Sequence, residues 1–319
     1  MTESWNKQEN QTINMLLLLT LLSYLVGSVV LSFVKETGVQ LVLVQVFCLL
    51  PGLLYVAYNS EGKKFTEVYR VHKTPISACL LAALMMLFLM PLLTFVNILS
   101  QQFTDYVASE DLMGRIQEYP FLVSLLVVGI LPAIGEELLY RGLFYGHYRK
   151  RSVLMGALLT GALFGLMHGN LNQMAYALLM GVIFALVDEA SGSTVTSMVM
   201  HAFVNCSSVV IIYAVKWLEP VASEQGGGIA DALNQAANEE VALTWQSAIG
   251  YLIFAAIGTY FAYRIYQTIA IRCGTEEKLH RDIAEPGRMK ALRDMFTPTL
   301  AVAIAVMIAL LIAAEVMVL

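Results

Sequence analysis

Charge is what this sequence has least of. Asp, Glu, Lys and Arg supply 13% of its 319 residues, against 58% hydrophobic. A soluble domain carries roughly twice that charged share, so an ordinary water-soluble globule is excluded. The net charge of −5 says little alone, because its sign is spread unequally between loops. No nucleic-acid partner is expected. Cysteine is also scarce: Cys48, Cys79 and Cys206 lie in apolar runs and Cys273 in a basic loop, with no Cys-x-x-Cys. A disulfide framework is excluded, and buried, inert thiols are expected. The first apolar run, 13–34, is too long for a signal-peptide core and lacks a small-x-small exit. It reads as an uncleaved span. Internal repeats, low-complexity tracts and a second soluble domain are missing too, which leaves one membrane domain.

Long apolar runs are plentiful. Candidate spans fall at about 13–34, 39–58, 76–98, 120–143, 153–168, 173–187, 194–217, 245–263 and 298–317. Most reach the length of about 20 residues needed to cross hydrocarbon. The expected fold is all-α: a polytopic transmembrane helical bundle of about 8–9 spans. The fifth and sixth runs are short, so they are expected to tilt in packing or cross only partly. Pro91 is expected to kink the third span and Pro132 the fourth. The division is into N-terminal spans (1–119), a membrane core (120–217), and an acidic outer loop with C-terminal spans (218–319).

Segments 59–75, 147–152 and 264–297 are basic, whereas 99–119 carries only Arg115 and 218–244 carries no Lys or Arg. Nine spans put all three basic segments on the side of the N-terminus. The positive-inside rule then predicts a cytoplasmic N-terminus and an outer C-terminus. Trp217 and Trp245 flank the acidic loop as an interface belt would. In that loop Gly226–Gly228 read as a hinge, followed by a short surface helix. The basic tail 264–297 reads as a solvated loop, with anionic lipid as the alternative partner.

A few ionisable residues nevertheless stand inside or at the ends of spans: Glu136, Glu137, Arg141, His168, His201 and Glu315. A central charge costs about 2.5–3.5 kcal/mol to insert and must face protein or water. Glu137 and Arg141 are four apart, on one helical face, and read as an ion pair that orders the helix. Glu136 is rotated about 100° away and must find its partner on another helix. His168, taken alone, reads as an interface residue. His201 and Asn205, one turn apart, are equally consistent with helix–helix hydrogen bonding.

Together these groups support hydrolysis. A carboxylate near two imidazoles can take a proton from water, while Asn205 and an imidazole donate to an oxyanion. Alternatively, Glu136, His168 and His201 form a His₂Glu set able to hold a catalytic zinc. No HExxH motif supports the metal reading. Gly161 and Gly165 permit close helix approach beside the site. One detail resists: counting helical rise places His201 shallow, His168 deep and Glu136 between them, which straight rods would keep apart.

EELLYR (136–141), FGLMH (164–168) and HAFVN (201–205) resemble the ordered EExxxR, FxxxH and HxxxN motifs of the CPBP family, the CAAX proteases and bacteriocin-processing (Abi) enzymes. The resemblance covers about 120–215 and implies a CPBP-like catalytic core in a membrane-embedded endopeptidase. It implies that Glu136 activates water, His168 assists, His201 and Asn205 stabilise the oxyanion, and Glu137 with Arg141 support Glu136. No cofactor is favoured, with zinc as the alternative. The implied partners are a peptide or lipidated protein substrate and membrane lipids, at a bacterial plasma membrane. A proton-coupled transporter and a non-cutting immunity or regulatory scaffold remain as rivals. Against the transporter, the two halves show no corresponding interrupted spans.

Overall fold

The computed structural model describes residues 5–59, 62–104, 116, 119–224, 245–277, 279 and 287–318. The hinge and surface helix expected at 225–244, with Arg115, Lys278 and Arg281, lie outside the described residues. Among the described residues the chain is all helix, as its apolar runs predict. In chain order the helices are α1 (Lys7–Leu31), α2 (Thr37–Asn59), the single turn α3 (Phe65–Val68), α4 (Ile76–Gln101), α5 (Phe121–Tyr148), α6 (Val153–Met167), α7 (Leu171–Ser191), α8 (Val195–Glu224), α9 (Trp245–Cys273), α10 (Arg288–Met295) and α11 (Pro298–Val318).

Eight of these are long and apolar enough to cross a membrane. The fifth expected span is not among them. α6 has 15 residues and rises about 22 Å, short of the roughly 30 Å of hydrocarbon. The sixth is longer than its hydropathy suggested, at 21 residues. α6 leaves the end to which α7 returns, so the short helix does not change which loops share that end. The helical run of α4 continues unbroken through Pro91.

Lipid gives apolar helices no hydrophobic reason to associate, so close packing and buried polar contacts do that work. Among the described residues two large apolar cores result, beside smaller clusters. Leu17, Phe144, Phe164 and Ala303 join α1, α5, α6 and α11. Met86, Phe184, Met200 and Ile269 join α4, α7, α8 and α9. Polar caps fix the short turns between helices. Asn170 accepts from Gln173 N (2.8 Å) to start α7, and Gly192, at φ 75°, ends it in a conformation that suits glycine. The buried Asp188 then accepts from Ser197 N (3.1 Å) and Ser197 Oγ (3.0 Å), capping α8.

The basic segments gather at one end of the bundle. Arg70 and Arg149 both pair with Glu189. Lys150 meets Glu9 at 3.0 Å, Arg151 meets Asp294 at 2.8 Å, and Asn10 and Asn14 each donate to the Met295 carbonyl at 3.0 Å. Arg151 holds the Asp294 carboxyl below its ordinary range. At the other end Glu315 accepts from Leu171 N (2.7 Å) and Thr104 Oγ1 (2.5 Å), tying α11 to α7 and the end of α4.

Candidate active site

The motif glutamates sit between two irregularities in α5. Residues Leu125–Ile130 and Leu138–Tyr145 are π-helical, and ordinary α-helix is confined between them to Leu131–Glu137. Pro132 has no N–H to return to the Val128 carbonyl four residues earlier. Asn205 Nδ2 reaches that carbonyl from α8 at 3.3 Å. The proline's disturbance takes the form of a π turn, and one motif residue is fastened to it.

The two glutamates have unequal surroundings. Glu137 is fully buried, with Oε1 accepting from Arg141 Nη1 at 3.0 Å and sharing a 2.8 Å hydrogen bond with His201 Nδ1. Its side chain has no exposed surface. The Arg141 guanidinium lies 4.2 Å from the Phe164 ring centre and 5.3 Å from that of Phe184, so aromatic faces on α6 and α7 complete its charge balance. Glu136 keeps 24% of its side-chain surface exposed. Its Oε1 accepts from Gln45 Nε2 on α2 at 3.3 Å. Its Oε2 lies 3.9 Å from His201 Nε2, too far for a hydrogen bond.

His168 closes the C-terminus of α6. Its Nδ1 meets the Phe164 carbonyl at 2.8 Å; a carbonyl only accepts, so Nδ1 carries the hydrogen and Nε2 is left as an acceptor. Phe164 stands between the histidines, with ring centres 4.9 Å from His168 and 5.9 Å from His201. Among the described residues His168 makes no hydrogen bond to either glutamate.

The structure therefore gathers Glu136, Glu137, Arg141 and His201, places His168 one aromatic ring away, and turns Asn205 toward a backbone carbonyl. The Glu137–Arg141 pair stands as its spacing predicts. His201 differs from expectation, because its direct partner is Glu137. The zinc set of Glu136, His168 and His201 is not drawn into a shell here. No three His, Cys, Asp or Glu among the described residues are placed to hold a metal ion. Gln45 and Phe184 were missed by sequence reasoning. Gln45 had a signal, an amide alone in a run of Leu, Val and Phe, but a search for ionisable groups passes over it.

Close approach of α6 and α7 makes room for Arg141. A Cβ on Gly165 would stand 2.7 Å from the Met174 carbonyl oxygen; one on Gly181 would stand 2.7 Å from Gly161 Cα and 3.2 Å from Arg141 Nη2. The Gly161 and Gly165 pair works as its spacing suggests. Replacing Gly181 with Ala is expected to cost about 1–3 kcal/mol by overpacking, more than the roughly 1 kcal/mol it gains in helix propensity. Thermal melting in detergent checks this; an unchanged or raised midpoint would contradict it.

Residues 118–207 match the family model described as type II CAAX prenyl endopeptidase Rce1-like. No curated protein and no solved structure matches the chain. The matched stretch contains both glutamates, Arg141, both membrane histidines and Asn205, on the helices whose contacts bring them together. Through that stretch, this integral membrane protein is similar to the CAAX-type (CPBP) intramembrane proteases.

Proposed function

We propose that the protein is a glutamate-type intramembrane endopeptidase, with Glu136 as general base, acting on lipidated CAAX-type or signal-peptide-like segments. The observation that carries this reading is the contrast between adjacent carboxylates. Glu137 is buried and bound by Arg141 and His201, whereas Glu136 is a quarter exposed and faces His201 Nε2 across 3.9 Å. A base must reach the water it activates, and only Glu136 is open enough to do so.

The chemistry balances without a covalent intermediate. Glu136 takes a proton from water as its oxygen attacks the scissile carbonyl carbon. His201, oriented by Glu137, presents Nε2 to the same space, beside the developing oxyanion. Asn205 spends one amide N–H on Val128 and has a second to give the oxyanion. The proton on Glu136 passes to the leaving nitrogen as the C–N bond breaks, releasing a carboxylic acid and an amine, which ionise to carboxylate and ammonium. His168, its Nδ1 fixed on Phe164, assists through Nε2. We further propose a bacterial plasma membrane with the basic end in the cytoplasm, the N-terminus inside and the C-terminus outside. A lipidated C-terminus would then approach from that end.

Cleavage of internally quenched peptides, prenylated and unprenylated, by the purified protein tests the metal question. Cleavage is expected to persist undiminished in a strong zinc chelator. Loss in chelator with recovery on added zinc would move Glu136, His168 and His201 into ligand roles.

A further inference from the structure

We propose that Gln45 on α2, outside the family-matched stretch, is a positioning residue that aims both the Glu136 carboxylate and the water it activates; this rests on Glu136 being the base. Gln45 Nε2 donates to Glu136 Oε1 at 3.3 Å. A carboxylate only accepts, so this contact fixes which end of the amide points at Glu136. The other end, Oε1, is buried and has no hydrogen-bond partner among the described residues. A buried acceptor left unpaired beside a base has the chemistry to accept a hydrogen bond from the attacking water. Water held by one hydrogen to Glu136 and one to Gln45 Oε1 keeps a lone pair for the carbonyl carbon.

Local packing holds the amide in place. Gly135 lies against α2, and a Cβ there would stand 3.0 Å from Leu49 Cδ1 and 3.6 Å from Gln45 Oε1. A larger residue at 135 would press on the amide. α2 is thus one wall of the site. The rival view makes Gln45 a simple interhelical tie, and it predicts effects on stability instead of turnover.

The two are separated with Gln45→Met, which keeps length and removes both polar ends, assayed on an internally quenched peptide ending in a farnesylated CAAX sequence. The expected result is a kcat lowered about 10- to 100-fold with KM within twofold and an unchanged melting midpoint. In a Glu136→Gln background, adding Gln45→Met is expected to have no further effect, because an aim without a base is idle. Unchanged kcat in Gln45→Met, with Glu136→Gln inactive, overturns the role of Gln45 and leaves Glu136 standing. Full activity in Glu136→Gln overturns the base itself. A lowered melting point with normal kcat assigns Gln45 to helix packing.

Discussion

Glu136→Gln is expected to abolish peptide cleavage, lowering kcat by about 10³-fold or more, the range of a lost general base, with the fold intact. The substitution keeps the side chain's shape and its ability to accept from Gln45 Nε2 at 3.3 Å. It removes only the capacity to take a proton. The quarter-exposed position makes the change tolerable, since no buried charge loses its counterpart there. Turnover of the farnesylated peptide and thermal melting, measured side by side, check both halves. Equal turnover in the two proteins would remove Glu136 from the chemistry.

Glu137→Ala is expected to act on stability first. Arg141 and His201 both depend on this carboxylate, at 3.0 and 2.8 Å. Arg141 is fully buried, with Nε and Nη2 lacking hydrogen-bond partners among the described residues. Deleting its counter-ion leaves a buried cation supported by two aromatic faces alone, a loss of about 3–5 kcal/mol. Replacing both partners with apolar residues, Glu137→Leu with Arg141→Met, is expected to recover most of that stability, because no lone charge remains. Activity should not return, since His201 has lost its orienting carboxylate. Melting midpoints for Glu137→Leu, Arg141→Met and the double variant, beside Glu137→Ala, supply the cycle. A double variant no more stable than Glu137→Ala would show that the pair's surroundings are built for charge itself.

Much of the fold was readable because hydropathy reports directly on lipid. Most spans, the single-sided gathering of basic segments and the close approach of α6 and α7 at Gly161 and Gly165 all follow from composition and spacing. The length of α7 did not, because Asn172, Asp188 and Glu189 lie within the helix but outside its apolar run. Within the site, the Glu137–Arg141 pair was legible from its i,i+4 spacing. The bond from His201 to Glu137 was not, because a helical wheel assumes α geometry, and α5 is π-helical on both sides of the glutamates. The misfit in depth between His201 and His168 is met without contact, by Phe164 standing between them. Pro132 carried a readable hint: a proline strands the carbonyl four residues back, and here Asn205 finds it. Gln45 shows the limit of searching for charge, since a neutral amide is cheap enough in a span to escape notice.

The most direct test is a single-turnover digestion of a farnesylated CAAX peptide in ¹⁸O-labelled water, with peptide products and enzyme both read by mass spectrometry. Direct attack by Glu136-activated water predicts one intact C-terminal tripeptide and one ¹⁸O atom in the new farnesylcysteine carboxylate, with none in the enzyme. Stepwise loss of single residues, or label carried on Glu136, would contradict the account.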